Sequence, residues 1–389
     1  MSRFHSYISS AIKIIESYDN GKPLSYHLKN FFSAQKKYGS RDRKTIASLC
    51  YNYFRLGAAL KNEPAEERIL AGLFLAENKS NEVLALLRPH WNGQVNLTID
   101  EKLALSGIDP AAIFPFQHET GNNIDNSAFA ISFLNQPDLF LRLRPGKKRQ
   151  VIEKLNNAPL SFEPLTEDCL KFTNNTSLDN VLDINKEAVI QDYNSQLVLD
   201  FIKQNPAYFP VNSKISAWDC CAASGGKSIL MFDILKGNLK LTVSDIRENI
   251  LANLVKRLEH AGINIYRKFV TDLSKRSSLS GDETFSIILC DAPCTGSGTW
   301  SRTPEQLFNF DKNSIAVYAE RQKKIISNAL PHLAAGGFFF YITCSVFKEE
   351  NEVVVEYIKE KFHLQVLQME YLRGYNMKAD TMFVAVLSL

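Results

Sequence analysis

The chain of 389 residues has no apolar run approaching the roughly 20 residues that a membrane-spanning helix requires. It also has little excess charge, since 45 lysines and arginines stand against 42 aspartates and glutamates, for a formal net charge of +3. That balance allows nucleic acid as a partner without arguing for it. With 45% hydrophobic and 22% charged residues, the composition predicts an ordinary soluble globular protein of two or three domains that contacts no membrane.

Disulfide and zinc frameworks are also missing. The seven cysteines are odd in number and follow no framework spacing, so we expect reduced thiols and a cytoplasmic protein. No Cys/His set has the spacing of zinc ligands, because the adjacent Cys220 and Cys221 do not make a Cys-x-x-Cys pair. We therefore expect no bound metal, and we separately expect a monomer. Residues 1–19 are predicted to form an amphipathic helix and not a signal peptide, because charges interrupt their helically spaced apolar residues.

The stretch DCCAASGGKS, residues 219–228, looks like a phosphate-binding loop that lacks one glycine. A P-loop reads Gly-x-x-x-x-Gly-Lys-Ser/Thr, which would place its first glycine at position 221. That position is Cys221. The mismatch argues against a P-loop ATPase or kinase, the first alternative function, and predicts no ATP hydrolysis.

We predict three segments: an all-helical domain at residues 1–135, a small α/β module at 136–188 and an α/β domain at 189–389. The first segment has apolar residues at helical spacing and no strand-like alternation. In the second, alternation with period two begins at Leu139 and is followed by a helical stretch and short strand-like pieces. In the third, strands and helices alternate, which is typical of a parallel sheet with helices on both faces.

Seven stretches of the third segment are predicted strands. In chain order they read ISAWDC, LTVSD, YRKFVTD, FSIILCDAP, GGFFFYITCS, HLQVLQM and TMFVAVLSL. The predicted fold class is therefore α/β, with a Rossmann-like domain whose seven-stranded sheet is mostly parallel.

Two clusters of basic side chains are candidates for contacts with phosphate groups. The cluster in residues 36–44 has only Asp42 against its basic residues, and a solvated charged turn is an equally weighted alternative. Its members are Lys36, Lys37, Arg41, Arg43 and Lys44. The cluster in residues 142–149 is the densest in the chain. Its members are Arg142, Arg144, Lys147, Lys148 and Arg149.

Carboxylates end three successive predicted strands: Asp219, Asp245 and Asp272. In open α/β sheets the ligand binds at this edge of the sheet. Asp245 stands where a carboxylate binds ribose hydroxyls, and Asp272 stands where one reaches an adenine amino group. The series suits a nucleoside that carries a positive charge, such as S-adenosylmethionine, and would repel a triphosphate. A single such aspartate is often only a helix cap, so the series carries the argument.

Cysteines follow the next two strands at the same edge: Cys294 and Cys344. A thiolate that adds to carbon 6 of a pyrimidine makes carbon 5 a nucleophile, which can then take a methyl group. Asp291 stands where a carboxylate can share a proton with ring nitrogen 3. The bland alternative for a lone cysteine is a small buried apolar residue. We assign that alternative to Cys50, Cys169 and Cys290.

In this order, DCCAASGGKS, SDIRENILANL, DAPCTGSGTW and YITCSVFKEENEVVV resemble the Sun/RsmB-type family of RNA cytosine-carbon-5 methyltransferases. The resemblance spans about residues 185–389 and depends on two separate cysteine motifs. Residues 1–135 are similar, more loosely, to the NusB-like helical domain of the bacterial ribosomal-RNA members. We expect the module at 136–188 to be RRM-like. The resemblance implies a class I methyltransferase fold, S-adenosylmethionine as cofactor and RNA as partner.

The resemblance also implies roles that the residues alone left open. Cys344, in the Thr-Cys-Ser motif, is the nucleophile, and Cys294, in the Pro-Cys motif, assists proton removal or product release. Lys227 and Asp291 lie close to the target base. The implied cofactor-binding residues are Asp219, Cys221, Ala222, Ala223, Ser224, Gly225, Gly226, Lys227, Asp245, Arg247, Asp272 and Asp291.

The chain departs from the family pattern at a few positions, of which two matter most. Ser224 replaces a proline, and only Arg302 matches a pair of arginines expected after the fourth strand. Neither change removes a group that the chemistry needs. We predict an enzyme that methylates carbon 5 of a cytosine in RNA after extruding the base, with 16S ribosomal RNA as the first candidate substrate and transfer RNA as the second. A catalytically retired RNA-binding ribosome-assembly factor is the remaining alternative.

Overall fold

The computed structural model describes residues 3–210 and 213–389, which pack as two compact units. The first unit comprises residues up to Thr120 together with Asp125–Gln136 and Thr299–Lys312. The second comprises Gly121–Ile124, Pro137–Gly298 and Asn313–Leu389. A segment that lies between two sheet strands in sequence therefore joins the first unit. The sequence pattern contained no sign that this segment belongs to the first unit. The predicted boundaries at residues 135 and 188 stay predictions.

The described part of the first unit is helical, as the periodicity predicted. Its helices are α1 Arg3–Glu16, α2 Leu24–Ala34, α3 Ser40–Arg55, α4 Ala65–Ala76, α5 Glu82–Leu87, α6 Pro89–Asn92, α7 Ile99–Ser106, α8 Pro110–Ile113 and α9 Asn126–Ser132. The segment Thr299–Lys312 adds a short helix, Pro304–Phe308. None of the helices in the described residues is long and apolar enough to cross a membrane.

Helices α3 and α4 pack closely because a glycine lies at their contact. A Cβ added to Gly72 would stand 2.1 Å from the carbonyl oxygen of Asn52. Beside it, the buried guanidinium of Arg68 donates to the carbonyls of Tyr53 at 3.0 Å and Gly57 at 2.5 Å. These carbonyls lie near the carboxyl end of α3, so Arg68 satisfies backbone groups that the end of a helix leaves open.

The small sheet of the second unit is antiparallel, in the order β2-β3-β1-β4. Its strands are β1 Leu139–Leu143, β2 Glu163–Pro164, β3 Cys169–Phe172 and β4 Ala188–Ile190, and helix α10 Lys148–Asn156 lies between β1 and β2 in sequence. Leu141, Leu143, Val151 and Leu155 form the core between this helix and the sheet.

Two of the basic residues predicted to contact RNA are instead buried in this module. Arg142 and Arg144 are only 5% and 9% exposed, and both bind the buried carboxylate of Asp233 at 2.7 Å. The prediction that these two side chains contact phosphate is therefore wrong. Of the remaining members of that cluster, Lys148 and Arg149 are exposed. The period-two pattern located the strand, but it could not show that both faces of the strand are covered.

The large sheet confirms the predicted fold class. Its strands are β5 Ile215–Asp219, β6 Leu239–Asp245, β7 Arg267–Val270, β8 Phe285–Asp291, β9 Leu333–Thr343, β10 Gln365–Leu372 and β11 Met382–Ser388. Their order is β10-β11-β9-β8-β5-β6-β7, and the strands from β5 to β9 run parallel. Strand β11 is antiparallel to both of its neighbours.

Helices cover this sheet. They are α11 Tyr193–Leu197, α12 Asp200–Gln204, α13 Gly226–Ile234, α14 Glu248–His260, α15 Ser314–Ala329 and α16 Glu352–Phe362. The strand order reverses at β5, whose neighbours are β6 on one side and β8 on the other. In open α/β sheets such a reversal opens a crevice at the carboxyl ends of the strands. The candidate site lies at this edge.

Candidate active site

The loop 219–228 turns strand β5 into helix α13, as predicted, and is held by the neighbouring strand. The amide of Ala222 donates to the carbonyl of Ser244 at 3.0 Å, and the amide of Ala223 donates to the carboxylate of Asp245 at 3.0 Å. Ala223 has a φ of +45° and Gly225 one of +81°. A positive φ is unfavourable for alanine, so these hydrogen bonds hold the loop in a conformation that the chain would not adopt alone.

Ser224, where the family pattern has proline, is exposed and fixed from outside the loop. The guanidinium of Arg257, on α14, donates to the carbonyl of Ser224 at 3.0 Å and to its hydroxyl at 3.1 Å. These two bonds restrain the loop at a position where a proline ring would restrain it covalently.

The three strand-end aspartates lie in different environments. Asp219 is 1% exposed and accepts a hydrogen bond from the hydroxyl of Ser228 at 2.5 Å. Burial raises the pKa of Asp219 to about 7. Burial also acts to raise the pKa of Asp245, but hydrogen bonds from Arg247 and Ala223 outweigh it and lower that pKa. A hydrogen bond from Ser274 is the main cause that lowers the pKa of Asp272.

A cavity of about 430 Å³ opens at this edge of the sheet. Asp245, Arg247 and Asp272 line it on one side, and Asp291, Cys294 and Cys344 line it on the other. Cys221 and Ala223 also line it. Asp219, Ala222, Ser224, Gly225, Gly226 and Lys227 are not among its lining residues. The structure thus brings two of the three predicted aspartates together with both predicted cysteines, and it places Asp219 beneath the loop.

Lys227 and Asp291 form an ion pair beside the two cysteines. The Lys227 Nζ lies 2.6 Å from Asp291 Oδ2, and the side chains are 14% and 28% exposed. Burial acts to lower the pKa of Lys227, but the charge of Asp291 outweighs it and raises the pKa. The lysine is therefore held as an ammonium that faces the carboxylate.

The thiols of Cys294 and Cys344 lie 3.4 Å apart. The hydrogen bond with Cys344, together with burial, raises the pKa of Cys294 well above its usual value. Either thiol can donate the hydrogen bond of this pair. The two motifs are also joined through the backbone, because the amide of Gly298 donates to the carbonyl of Cys344 at 2.8 Å.

The sequence analysis assigned no role to Glu350, which connects the same two motifs. One carboxylate oxygen of Glu350 accepts from the hydroxyls of Thr295 and Ser345, both at 2.6 Å. The other accepts from the amide of Thr295 at 2.9 Å and from the side chain of Gln322 at 3.1 Å. Thr295 follows Cys294 and Ser345 follows Cys344, so a single buried carboxylate binds the residue after each cysteine. The only signal in the sequence was that Glu350 lies in the stretch YITCSVFKEENEVVV, which carries the family resemblance but indicates no contact.

Comparison with known proteins assigns a family to the larger part of the second unit. Residues 209–385 match the family described as 16S rRNA methyltransferase RsmB/F. This region is similar to the RsmB/F family, and it makes up less than half of the chain. The match lies almost wholly on the large sheet and its helices, so the NusB-like and RRM-like expectations for the preceding residues stay predictions.

Individual relatives cover only part of the chain. The probable ribosomal RNA small subunit methyltransferase B of Bacillus subtilis is 29% identical over 197 residues, 50% of this chain and 42% of that protein. The 28S rRNA (cytosine(4447)-C(5))-methyltransferase of Homo sapiens is 30% identical over 153 residues, 38% of this chain and 19% of that protein. The chain therefore spans less than half the length of either relative.

Solved structures show the fold. The protein PH0851 covers all of this chain with a TM-score of 0.71 at 17% identity. NSun6 from Pyrococcus horikoshii with SFG covers 70% of this chain and 96% of its own, with a TM-score of 0.58 at 15% identity. At these identities the likeness extends to the fold and no further.

The RsmB/F region contains one more cluster, which the sequence analysis did not assemble. The sulfurs of Cys220, Cys221 and Cys290 all lie within 4.8 Å of one another. From the sequence, Cys290 is interpreted as a small buried residue, and the vicinal pair does not have the spacing of a zinc Cys-x-x-Cys pair. Cys290 is fully buried, as expected, and its sulfur lies near both sulfurs of the vicinal pair. Spacing within one stretch could not reveal this cluster, because the cysteines come from two different strand ends.

Proposed function

We propose that the protein methylates carbon 5 of a cytosine in RNA, with S-adenosylmethionine as the methyl donor. The observation that carries the proposal is the 3.4 Å approach of Cys294 and Cys344 at a cavity that Asp245 and Asp272 also line. One side of the cavity offers carboxylates for a cationic nucleoside, and the other offers a thiol pair. The relatives are named as ribosomal RNA methyltransferases, and these names support ribosomal RNA as the substrate class.

The residues present fit the cofactor. The cavity volume of about 430 Å³ lies within the range of roughly 300–1,000 Å³ that is usual for small-molecule sites. Asp245, which the hydrogen bonds of Arg247 keep ionised, would hold the ribose hydroxyls. Asp272 would hold the adenine amino group. The cofactor supplies an electrophilic methyl group on a sulfonium, and the ionised carboxylates around the cavity favour that positive charge.

The thiol pair would carry out covalent catalysis. We assign nucleophilic attack to Cys344, whose thiolate would add to carbon 6 of the cytosine and turn the C5–C6 double bond into an enamine. Carbon 5 would then take the methyl group, and loss of the carbon 5 proton would expel the Cys344 thiolate. The raised pKa of Cys294 means that this residue enters the cycle as a thiol, which suits a group that exchanges protons during product release.

Lys227 and Asp291 would orient the target base. Asp291 lines the cavity together with both thiols, where its carboxylate can bind the Watson–Crick edge of a flipped cytosine, and Lys227 holds that carboxylate from behind through the ion pair. A base inside a stacked helix does not expose carbon 6, so we expect the RNA to be bound at a loop or a distorted segment.

Two substitutions test the chemistry. Cys344→Ala should abolish methyl transfer to transcribed 16S ribosomal RNA, whereas Cys294→Ala should accumulate a protein–RNA adduct that survives a denaturing gel. Cys169→Ala is the matched control, because Cys169 is a buried cysteine of the small sheet, away from this edge. Normal turnover by Cys344→Ala would overturn the assignment. No transfer by the wild type to any RNA, with the cofactor bound, would favour the retired assembly factor.

The substrate is tested separately. Bisulfite sequencing of total RNA from cells with and without this gene should show the loss of one cytosine mark in small-subunit ribosomal RNA. An unchanged ribosomal map with a lost transfer-RNA mark would contradict the ribosomal assignment and leave the chemistry intact.

A further inference from the structure

The three-thiol cluster lies at the junction of two neighbouring strands. Cys220 and Cys221 directly follow strand β5, and Cys290 is the penultimate residue of strand β8. The amide of Cys220 donates to the carbonyl of Leu289 at 2.9 Å, which aligns the two strand ends. Cys220 is 2% exposed and Cys290 is fully buried, while Cys221 is partly exposed. The pairing of the strands therefore sets the positions of the three sulfurs.

The geometry of the sulfurs suits a single soft metal ion. Three sulfurs bound at about 2.3 Å to one centre lie about 4 Å from one another. The three sulfurs all lie within 4.8 Å of one another, close to that spacing, so small side-chain rotations would close the site. Among the described residues, no histidine, aspartate or glutamate joins the group as a fourth ligand. A tetrahedral structural zinc site would need one, whereas a soft thiophilic cation is satisfied by thiolates.

We propose that Cys220, Cys221 and Cys290 form a trigonal binding site for a monovalent d¹⁰ cation, with Cu(I) as the preferred ion. Binding forms Cu–S bonds, breaks the S–H bonds of the thiols that carry a proton and releases those protons to water. No electron is transferred. The ion has a path to the site, because Cys220 and Cys221 line the 430 Å³ cavity.

A competition titration tests the site. The full-length protein is titrated with Cu(I) as its bicinchoninate complex, without oxygen, and the loss of the chelator's colour gives the affinity and stoichiometry. Two single variants, Cys221→Ala and Cys290→Ser, should each bind Cu(I) at least tenfold more weakly than the wild type. Cys221 is partly exposed, so its variant keeps the test valid if the buried substitution prevents folding.

The proposed catalytic thiols are the necessary control, since Cys294 and Cys344 are also close enough to bind a metal. The double variant Cys294→Ala/Cys344→Ala should retain the tight Cu(I) site, and X-ray absorption should show three sulfur neighbours. Binding that survives Cys221→Ala and Cys290→Ser but is lost in the double variant would overturn the proposal. Tighter binding of Zn²⁺ than of Cu(I), with a four-coordinate spectrum, would also overturn it.

We also expect bound Cu(I) to compete with the cofactor. This part of the test rests on the proposed function. Cys221 lines the cavity that we assign to S-adenosylmethionine, so one equivalent of Cu(I) should weaken cofactor binding at least tenfold in calorimetry. Wild-type protein that binds Cu(I) but not the cofactor would contradict the proposed function and would still support the metal site. Cofactor affinity unchanged by bound Cu(I) would place the ion outside the cluster.

A separate observation supports a second inference: we infer that Glu350 is a positioning residue for the two cysteine motifs. Its carboxylate binds the residue after Cys294 and the residue after Cys344, so it fixes the separation of the two loops. It is fully buried and is not among the residues that line the cavity, so it would act through Thr295 and Ser345. This inference rests on the proposed function.

Glutamine can replace glutamate here, but alanine cannot. The oxygen of a glutamine amide can accept from the Thr295 amide and Gln322, and its NH₂ can donate to the hydroxyls of Thr295 and Ser345. Glu350→Gln should therefore keep methyl-transfer kcat within threefold of wild type. Glu350→Ala should lower kcat at least tenfold relative to wild type, when kcat is calculated from the concentration of protein that binds the cofactor. The KM for the methyl donor should stay within threefold of the wild-type value. Glu352→Gln, which changes a carboxylate bound to Tyr371, is the matched control and should leave kcat unchanged.

A thiol readout separates this inference from the proposed function. Diamide oxidises two neighbouring thiols to a disulfide and is itself reduced to the hydrazine, and the rate depends on how close the thiols lie. Cys294 and Cys344 should cross-link at least tenfold more slowly in Glu350→Ala than in wild type or Glu350→Gln. Equal rates in all three proteins would overturn the positioning role, whether or not the wild type transfers methyl groups.

Discussion

The contacts of buried Asp233 with two arginines predict how much its removal lowers the free energy of unfolding. Asp233 is on helix α13, and its side chain is 5% exposed. It accepts from Arg142 at 2.7 Å and from Arg144 at 2.7, 3.1 and 3.2 Å. Arg142 is on strand β1 of the small sheet and Arg144 directly follows that strand, so this one carboxylate connects the small sheet to a helix that packs on the large one. We consider the substitution Asp233→Ala.

Removal of the carboxylate leaves two buried guanidinium groups without their counter-ion. Breaking a buried ion pair from one side typically costs about 3–5 kcal/mol. Arg142 would still donate to Gln191 at 2.9 Å, and Arg144 would still donate to the carbonyl of Asn185 at 3.0 Å. These remaining acceptors favour the lower end, so we expect Asp233→Ala to lower the free energy of unfolding by about 3 kcal/mol.

The assay is urea unfolding followed by circular dichroism, with Glu153→Ala as the matched control. Glu153 is also a carboxylate paired with an arginine, but its side chain is 62% exposed and that of Arg149 is 94% exposed. Exposed pairs of this kind contribute at most about 0.5 kcal/mol. A cost for Asp233→Ala as small as that of the control would refute the reasoning. Combining Asp233→Leu with Arg142→Met and Arg144→Met should recover much of the loss, because apolar residues can replace a buried ion cluster.

Three further predictions concern packing, pH and RNA. Gly72→Ala should lower the free energy of unfolding by about 1–3 kcal/mol or more, because the added Cβ would overlap a carbonyl oxygen of α3. Gly39→Ala is the control: a Cβ added there has no atom nearer than 3.5 Å, so its free energy of unfolding should be nearly unchanged in the same urea assay. The pKa of Asp219 is raised to about 7, so its contribution to the free energy of unfolding is present in acid and is lost as the pH rises toward 7. The free energy of unfolding of Asp219→Asn, relative to that of the wild type, should therefore increase between pH 5 and pH 8. A difference that stays constant over this range would contradict the raised pKa. Charge reversal of the three lysines in the 36–44 cluster should weaken RNA binding and reduce its salt dependence, and unchanged filter-binding curves from low to high salt would remove that cluster from the interface.

The sequence by itself determined the larger fold. Apolar strands that alternate with amphipathic helices admit essentially one arrangement, a parallel sheet with helices on both faces, because crossover connections are right-handed and short. Since parallel strands end at a common edge, Asp245, Asp272, Cys294 and Cys344 could be placed near one another before any coordinate was known. The structure places all four on one cavity.

The tertiary structure alone decided the features that depend on which elements touch. Period two located strand β1, but only packing against α13 made Arg142 and Arg144 partners of Asp233 and removed them from the surface. Asp219 followed the same strand-end pattern as the other aspartates, yet it lies beneath the loop and not in the cavity. Periodicity reports the conformation of a segment and not what covers it.

The Cys220, Cys221 and Cys290 cluster, the Glu350 contacts and the return of Thr299–Lys312 to the first unit share one property. Each joins residues that are distant in the chain or that come from different elements. Local physical chemistry sets φ and ψ, hydrogen-bonding period and the position of a turn, all within a few residues. Side-chain contacts across elements depend on register, burial and the three-dimensional order of the strands, which form only when the whole sheet is assembled.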